Sequence, residues 1–151
     1  MSAAYLAALR LLARRELSEA QVRQRLARRQ HDCSDIDAAV SRLTVEGSLD
    51  DARAAAAIAR HETTVSRRGR QRVIRQIEAA GIAPELARRA ADDVFADLDP
   101  EAQLAAALDR RLRGRSAVAD EREHRRLYRY LVAQGFEPDR VHAILTARRA
   151  R

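Results

Sequence analysis

The sequence predicts an all-α fold of three tandem three-helix repeats, and three observations carry that prediction. Apolar positions recur at helical spacing along the chain, and no segment shows the alternation of a half-buried strand. Hydrophobic residues make up 46% of the 151 residues but aromatics only 3%, so alanine and leucine, both good helix formers, supply the packing atoms. Glycine, proline and capping residues punctuate the chain at intervals that repeat. Thin helix–helix packing with small contacts fits this composition better than a core of interdigitating aromatics.

Taken in order, Leu6, Leu9 and Leu12/Ala13 form the first apolar stripe, ending near Arg15. Ser18 then reads as an N-cap with Gln21 as its capping-box partner and Leu17 placed to staple onto Val22; this second helix runs to about Gln30. Ile36, Val40 and Leu43 mark a third, stopped by Gly47. Leu49-Asp50-Asp51 opens a fourth, reaching through Ile58 to about Thr63. Val73, Ile74 and Ile77 define a fifth that ends at Gly81, and Pro84 starts a sixth with Leu86, Ala90 and Val94. Asp99-Pro100 opens a seventh through Leu104 and Leu108, and Gly114 and Ser116 mark a loop. Leu127, Tyr130 and Leu131 carry the eighth to Gly135, and Pro138 starts a ninth with Val141, Ile144 and Leu145.

These helices repeat. With Gln30, Gly81 and Gly135 aligned, the position four before holds Leu26, Ile77 and Leu131. Six after come Ile36, Ala87 and Val141, and ten after come Val40, Ala91 and Leu145. The glycines are each followed by a stapling residue, Ile82 or Phe136, and then by Pro84 or Pro138. The spacings of 51 and 54 residues hold about three short helices each. The expected units are therefore 1–48, 49–97 and 98–151.

Composition and motifs exclude most catalytic classes. Cys33 is alone, so an intrachain disulfide is impossible. The apolar N-terminus is short and interrupted by Arg10, Arg14 and Arg15, without a cleavage pattern, and no stretch approaches the roughly 18 apolar residues of a membrane span. A cytoplasmic, probe-free monomer that needs no cofactor is the expectation. His61-Glu62-Thr63-Thr64-Val65 begins like a zinc-protease motif, but Val65 stands where the second histidine belongs. His31, His124 and His142 lack ligand spacing and read as solvated or loop residues, and Cys33 as structural. No glycine-rich phosphate loop or nucleophile elbow is present. Asp92, Asp93, Asp97, Asp99 and Glu101 match no calcium loop and read as a solvated acidic face.

Charge is where the sequence becomes specific. The net charge is +7 and all 29 basic residues are arginine, an outcome that base composition of a GC-rich genome accounts for together with the alanine excess. Arginine nevertheless pairs bidentately with phosphate and carboxylate, so the surface suits an anionic partner. From Arg60 to Arg75 six arginines face Glu62, giving +5; from Arg110 to Arg129 eight face Asp120, Glu121 and Glu123, again +5. Between Glu78 and Asp109 eight acids face Arg88 and Arg89, giving −6. Arg68, Arg72 and Arg75 fall at helical spacing, as do Arg122, Arg125, Arg126 and Arg129. Arg67, Arg68 and Arg70 crowd a helix N-terminus, where the macrodipole disfavours cations and favours a bound anion. These nine arginines are the candidate contacts to a filament or nucleic acid.

The run Ala8-Leu9-Arg10-Leu11-Leu12-Ala13-Arg14-Arg15-Glu16-Leu17-Ser18-Glu19 resembles the opening of the RecX family, regulators of the RecA recombinase. Gly47-Ser48-Leu49-Asp50-Asp51-Ala52-Arg53, Arg68-Gly69 through Gly81-Ile82, and Tyr130-Leu131 through Gly135-Phe136 follow in the family's order, so the resemblance covers nearly the whole chain. Ala54 departs from it where the family usually has an aromatic, and Ala133-Gln134 where it often has two arginines. The resemblance implies an elongated, curved array of three three-helix repeats that binds the groove of the RecA–DNA filament. It implies limits on filament growth, ATPase and strand exchange, hence a role in homologous recombination, DNA repair and the SOS response. Binding to bare DNA is expected to be weak, salt-dependent and non-specific.

The alternative is a helix-turn-helix transcriptional regulator, because Ile77 to Ile82 before Pro84 resembles that motif's glycine turn. Its recognition helix would carry Glu85, Asp92 and Asp93, which suit a phosphate-lined groove poorly.

Overall fold

A computed structural model describes residues 1–150. It contains nine helices among the described residues: α1 (Ala3–Leu12), α2 (Glu19–Arg28), α3 (Cys33–Val45), α4 (Asp51–Thr64), α5 (Arg70–Ala79), α6 (Pro84–Phe95), α7 (Pro100–Leu112), α8 (Glu121–Ala133) and α9 (Pro138–Ala147). No strand forms among those residues; a single isolated bridge joins Val118 to Arg149. Every expected helix is present.

The chain divides into two compact units: Met1–Ile58 with Gln76–Ala90, and Ala59–Arg75 with the chain from Ala91 onward. In the first, α1, α2 and α3 pack on one another around Leu11, Leu17, Val22, Leu26, Ile36, Val40, Leu43 and Leu49. In the second, α7, α8 and α9 enclose Leu104, Leu108, Leu112, Val118, Leu127, Leu131, Val141 and Leu145.

Local signals set the helix ends. Ser18 and Gln21 form the expected reciprocal capping box, each side chain accepting from the other's backbone N–H at 3.1 Å. Leu17 and Val22 are both buried. Asp99 caps α7, with Pro100 at its first position. Asp32 precedes α3 without a side-chain capping bond, and Cys33 is exposed rather than structural. The Gly47–Arg53 segment is held by its own side chains. Arg53 donates to the carbonyls of Gly47 and Ser48 at 2.9 and 3.0 Å and to Glu16 at 2.6 Å, while Asp51 accepts from the Glu19 N–H at 2.8 Å. That motif therefore splices α4 onto the first three helices.

One apolar stripe differs from expectation. In α1 the buried residues are Ala4, Tyr5, Ala7, Ala8 and Leu11, whereas Leu6 is exposed and Leu9 and Leu12 are only partly covered. Alanines at this spacing let the helix backbone approach its neighbours closely, which excludes the larger leucines from the contact face. In α6 likewise Ala87, Ala90 and Ala91 are buried while Leu86 and Val94 are half-buried.

The aligned turn residues share a backbone state. Gln30, Gly81 and Gly135 all adopt positive φ, at 64°, 81° and 101°, just past the ends of α2, α5 and α8. All nine of the aligned apolar positions, from Leu26 to Leu145, are buried. Two of these turns receive a neighbouring helix start in the same manner. In the first unit Ser18 Oγ donates to the Ala80 carbonyl, and Ala20 lies directly against Gly81. In the second the Gly69 N–H donates to the Gln134 carbonyl at 2.8 Å, and the Gln71 N–H to the Gly135 carbonyl at 3.3 Å.

Candidate nucleic-acid interface

The α4–α5 connection places the first group of arginines. Arg67 lies there in a left-handed conformation, φ 54°, and is exposed. Arg68 pairs with Glu62 at 2.6 Å, and its N–H donates to the Glu62 carbonyl at 3.0 Å. Arg70 makes two hydrogen bonds to one oxygen of Asp92, at 2.9 and 2.7 Å. Arg72 donates to the Ala133 carbonyl at 3.2 Å, and its Nε is buried without a partner among the described residues. Arg75 is exposed.

Two expectations change here. Arg68 does not share a helix face with Arg72 and Arg75, because the Gly69 N–H is spent on the Gln134 carbonyl and α5 begins at Arg70. The fold also rewards arginines at this helix start: Glu62, Asp92 and the Ala133 carbonyl compensate Arg68, Arg70 and Arg72. An external anion is not needed to explain those three.

The second group is freer. Arg122 and Arg129 are exposed on α8 with no ion pair among the described residues. Arg125 approaches Glu121 only to 3.9 Å and Arg126 approaches Glu123 to 3.7 Å. Arg67, Arg75, Arg122, Arg125, Arg126 and Arg129 are thus the predicted residues still presented to solvent.

The structure adds a basic cleft that sequence reasoning did not single out. Arg110 and Arg111 in the last turn of α7, Arg113 at its C-cap, and Arg68, Tyr130 and Gln134 border a space of about 550 Å³. The Arg111 guanidinium carbon sits 4.3 Å from the centre of the Tyr130 ring, and Arg110 donates to the Val65 carbonyl at 3.1 Å. Arg113 adopts a left-handed conformation, φ 52°. No carboxylate lines the cleft. A helix C-terminus favours cations, so the Arg110-Arg111 pair raised no anomaly in the sequence. Only the approach of the α4–α5 connection and Tyr130 turns it into a concave site.

Glu123 anchors the neighbouring loop. It is buried, accepts from Arg115 with both oxygens and from the Ala119 N–H at 2.7 Å, and its own N–H donates to Asp120 at 2.8 Å. The Arg115 bond, then the Ala119 N–H, then the charges of Arg115 and Arg126 outweigh burial and pull its pKa down to about 2. Asp120 and Glu123 at capping-box spacing were the available sequence signal.

Other chemistry stays sparse. His124 and His142 do come together, edge to face at 6.0 Å, with His124 Nδ1 buried and without a partner among the described residues. His124 is therefore half-buried on α8 rather than a loop histidine. No three potential ligands group into a metal site among the described residues. Asp92 is engaged by Arg70 and Asp99 by its helix cap, so the acidic run is partly structural. No described helix is long and apolar enough to cross a membrane.

Comparison with known proteins points one way. A model of the first three-helix domain of RecX matches residues 4–43. The regulatory protein RecX of Halorhodospira halophila is 37% identical over 141 residues, 93% of this chain and 85% of that protein. That of Chromohalobacter salexigens is 34% identical over 141 residues, 93% of this chain and 90% of the relative. The crystal structure of RecX from Lactobacillus salivarius superposes with a TM-score of 0.70 at 19% identity, covering 95% of this chain and 93% of that one. A second crystal structure of regulatory protein RecX gives 0.71 at 21% identity, covering 95% and 70%.

Proposed function

The chain belongs to the RecX family of regulatory proteins, and on that premise we propose that it regulates a RecA recombinase by binding the RecA–DNA filament. It acts by binding, limits filament growth, ATP hydrolysis and strand exchange, and so bears on recombinational repair and the SOS response. Its working form is a cytoplasmic monomer of three repeats, 1–48, 49–97 and 98–151.

The observation that carries this reading is the pattern of uncompensated charge. Arg67, Arg75, Arg122 and Arg129 face solvent with no ion pair among the described residues, and the basic cleft is lined without a carboxylate. Arginines that the fold does not neutralise raise the local positive potential and favour a polyanion. A filament that carries DNA offers one.

DNA-dependent ATP hydrolysis by RecA, followed with and without this protein at near-physiological salt, tests the proposal. Slower hydrolysis and shorter filaments are expected. Unchanged hydrolysis together with unchanged filament lifetime at saturating protein overturns it. A transcription factor would instead select one preferred duplex site.

A further inference from the structure

The second unit contains a cleft whose chemistry identifies one class of ligand. We propose that the cleft of Arg110, Arg111, Arg113 and Tyr130 binds a short segment of single-stranded DNA, phosphates on Arg110 and Arg113 and one base stacked on Arg111. This rests on the filament-regulator reading and locates where that partner's nucleic acid is held.

Charge comes first. Four arginines border the cleft, and only Arg68 has an acidic partner, Glu62 at 2.6 Å. Arg110, Arg111 and Arg113 bring three further positive charges within four residues, with no carboxylate in the lining. Guanidinium forks are suited to phosphate oxygens and lose less on binding when already oriented. Arg110 is oriented by its 3.1 Å bond to the Val65 carbonyl, which leaves its other donors available.

Shape comes second. At about 550 Å³ the space falls within the range of small-ligand sites, large enough for a nucleotide-sized group. Arg111 lies flat over Tyr130 at 4.3 Å and is itself exposed. An aromatic covered by a guanidinium plane extends its stacking surface outward, and bases stack on arginine planes as well as on rings. A duplex keeps its bases stacked inside, so only a single strand uses both halves of the cleft.

Backbone strain is the third, independent observation. Arg113 holds a left-handed conformation that a residue with a Cβ adopts at a cost, although Gly114 follows it directly. Strain retained at a ligand-lining residue is characteristic of binding sites.

The test uses the full chain and fluorescein-labelled oligothymidylate, read by anisotropy across a salt series. Arg111→Ala/Arg113→Ala should weaken binding about tenfold and flatten the salt slope by about 1.4, two contacts at ~0.7 each. Arg28→Ala/Arg29→Ala removes equal charge from the first unit and should change affinity less than about twofold. Arg111→Lys keeps the charge and should preserve the slope while losing about fivefold in affinity, because the flat stacking surface is gone. Circular dichroism confirms that each variant is folded. Equal losses in both double variants, wild-type affinity of Arg111→Lys, equal affinity for duplex of the same length, or competition by an oligo-aspartate as effective as by unlabelled oligothymidylate each overturn the proposal. RecA ATPase assays on the same proteins separate it from the broader reading. If wild-type protein slows RecA while Arg111→Ala/Arg113→Ala binds oligothymidylate normally, the cleft assignment fails and the regulator stands. If wild-type protein leaves RecA unaffected while the variant loses oligothymidylate, the regulator reading fails and the cleft stands.

Discussion

Gly69 and Gly135 meet backbone to backbone, through the turn that precedes α5 and the turn that follows α8. A Cβ on Gly69 would lie 2.5 Å from the Gly135 carbonyl carbon and 2.7 Å from the Phe136 nitrogen. A Cβ on Gly135 would lie 2.6 Å from Arg72 Cβ and 2.8 Å from the Gly69 carbonyl oxygen. The contact is repeated between Ala20 and Gly81 in the first unit. Gln30, aligned with Gly81 and Gly135 and equally left-handed, receives no such neighbour and carries a full side chain. Close approach, more than positive φ, is what demands glycine at the other two turns.

Substituting these glycines therefore has a graded outcome. Gly135→Ala should cost about 3 kcal/mol or more, since positive φ and a backbone clash add. Gly114→Ala meets open space at φ 88° and should cost only about 1 kcal/mol. Urea titrations of the two variants check the difference, and equal midpoints would show that the Gly69–Gly135 approach is not sterically demanding.

Two arginines three residues apart on α5 should behave differently. Arg72→Ala removes the bond to the Ala133 carbonyl and a partly buried side chain, so it should lower stability by about 1–2 kcal/mol. Arg75→Ala should leave thermal stability within about 0.5 kcal/mol. A thermal melt of each variant decides.

Ser18 serves two helices at once, capping α2 and donating to the Ala80 carbonyl. Ser18→Ala should cost about 2 kcal/mol, more than a typical lost cap, because a buried carbonyl also loses its donor. Ser18→Thr, which retains the hydroxyl, should recover part of that loss in the same denaturation assay.

Glu123 predicts an acid limb. Its folded pKa, about 2, lies below the model carboxyl value of 4.5, so ionised Glu123 favours the folded state above pH ~4.5. That contribution falls as pH drops through the range between those values. Glu123→Gln should be less stable than wild type at pH 7, and the gap should narrow between pH 4.5 and 2. Unfolding midpoints along a pH series measure it.

Arg113 should separate stability from binding. Arg113→Gly relieves a left-handed residue and should leave stability unchanged or raise it by up to about 0.5 kcal/mol. The same change should weaken oligothymidylate binding several-fold. A melt and an anisotropy titration on one sample check both halves.

The sequence by itself determined the nine helices, their capping at Ser18 and Asp99, and the aligned turns at Gln30, Gly81 and Gly135. These rest on periodicity and on interactions within a few residues, which a linear chain displays directly. It also located the two basic blocks, but not which arginines remain available. Tertiary structure decided that Arg68, Arg70 and Arg72 are bound to Glu62, Asp92 and Ala133, six to 61 residues away. It decided as well that alanines rather than leucines face the core on α1, because backbone separation, not side-chain size, selects the contact face. Gly69 and Gly135 belong to both accounts: each reads as a turn in the sequence, but only the fold brings one against the other.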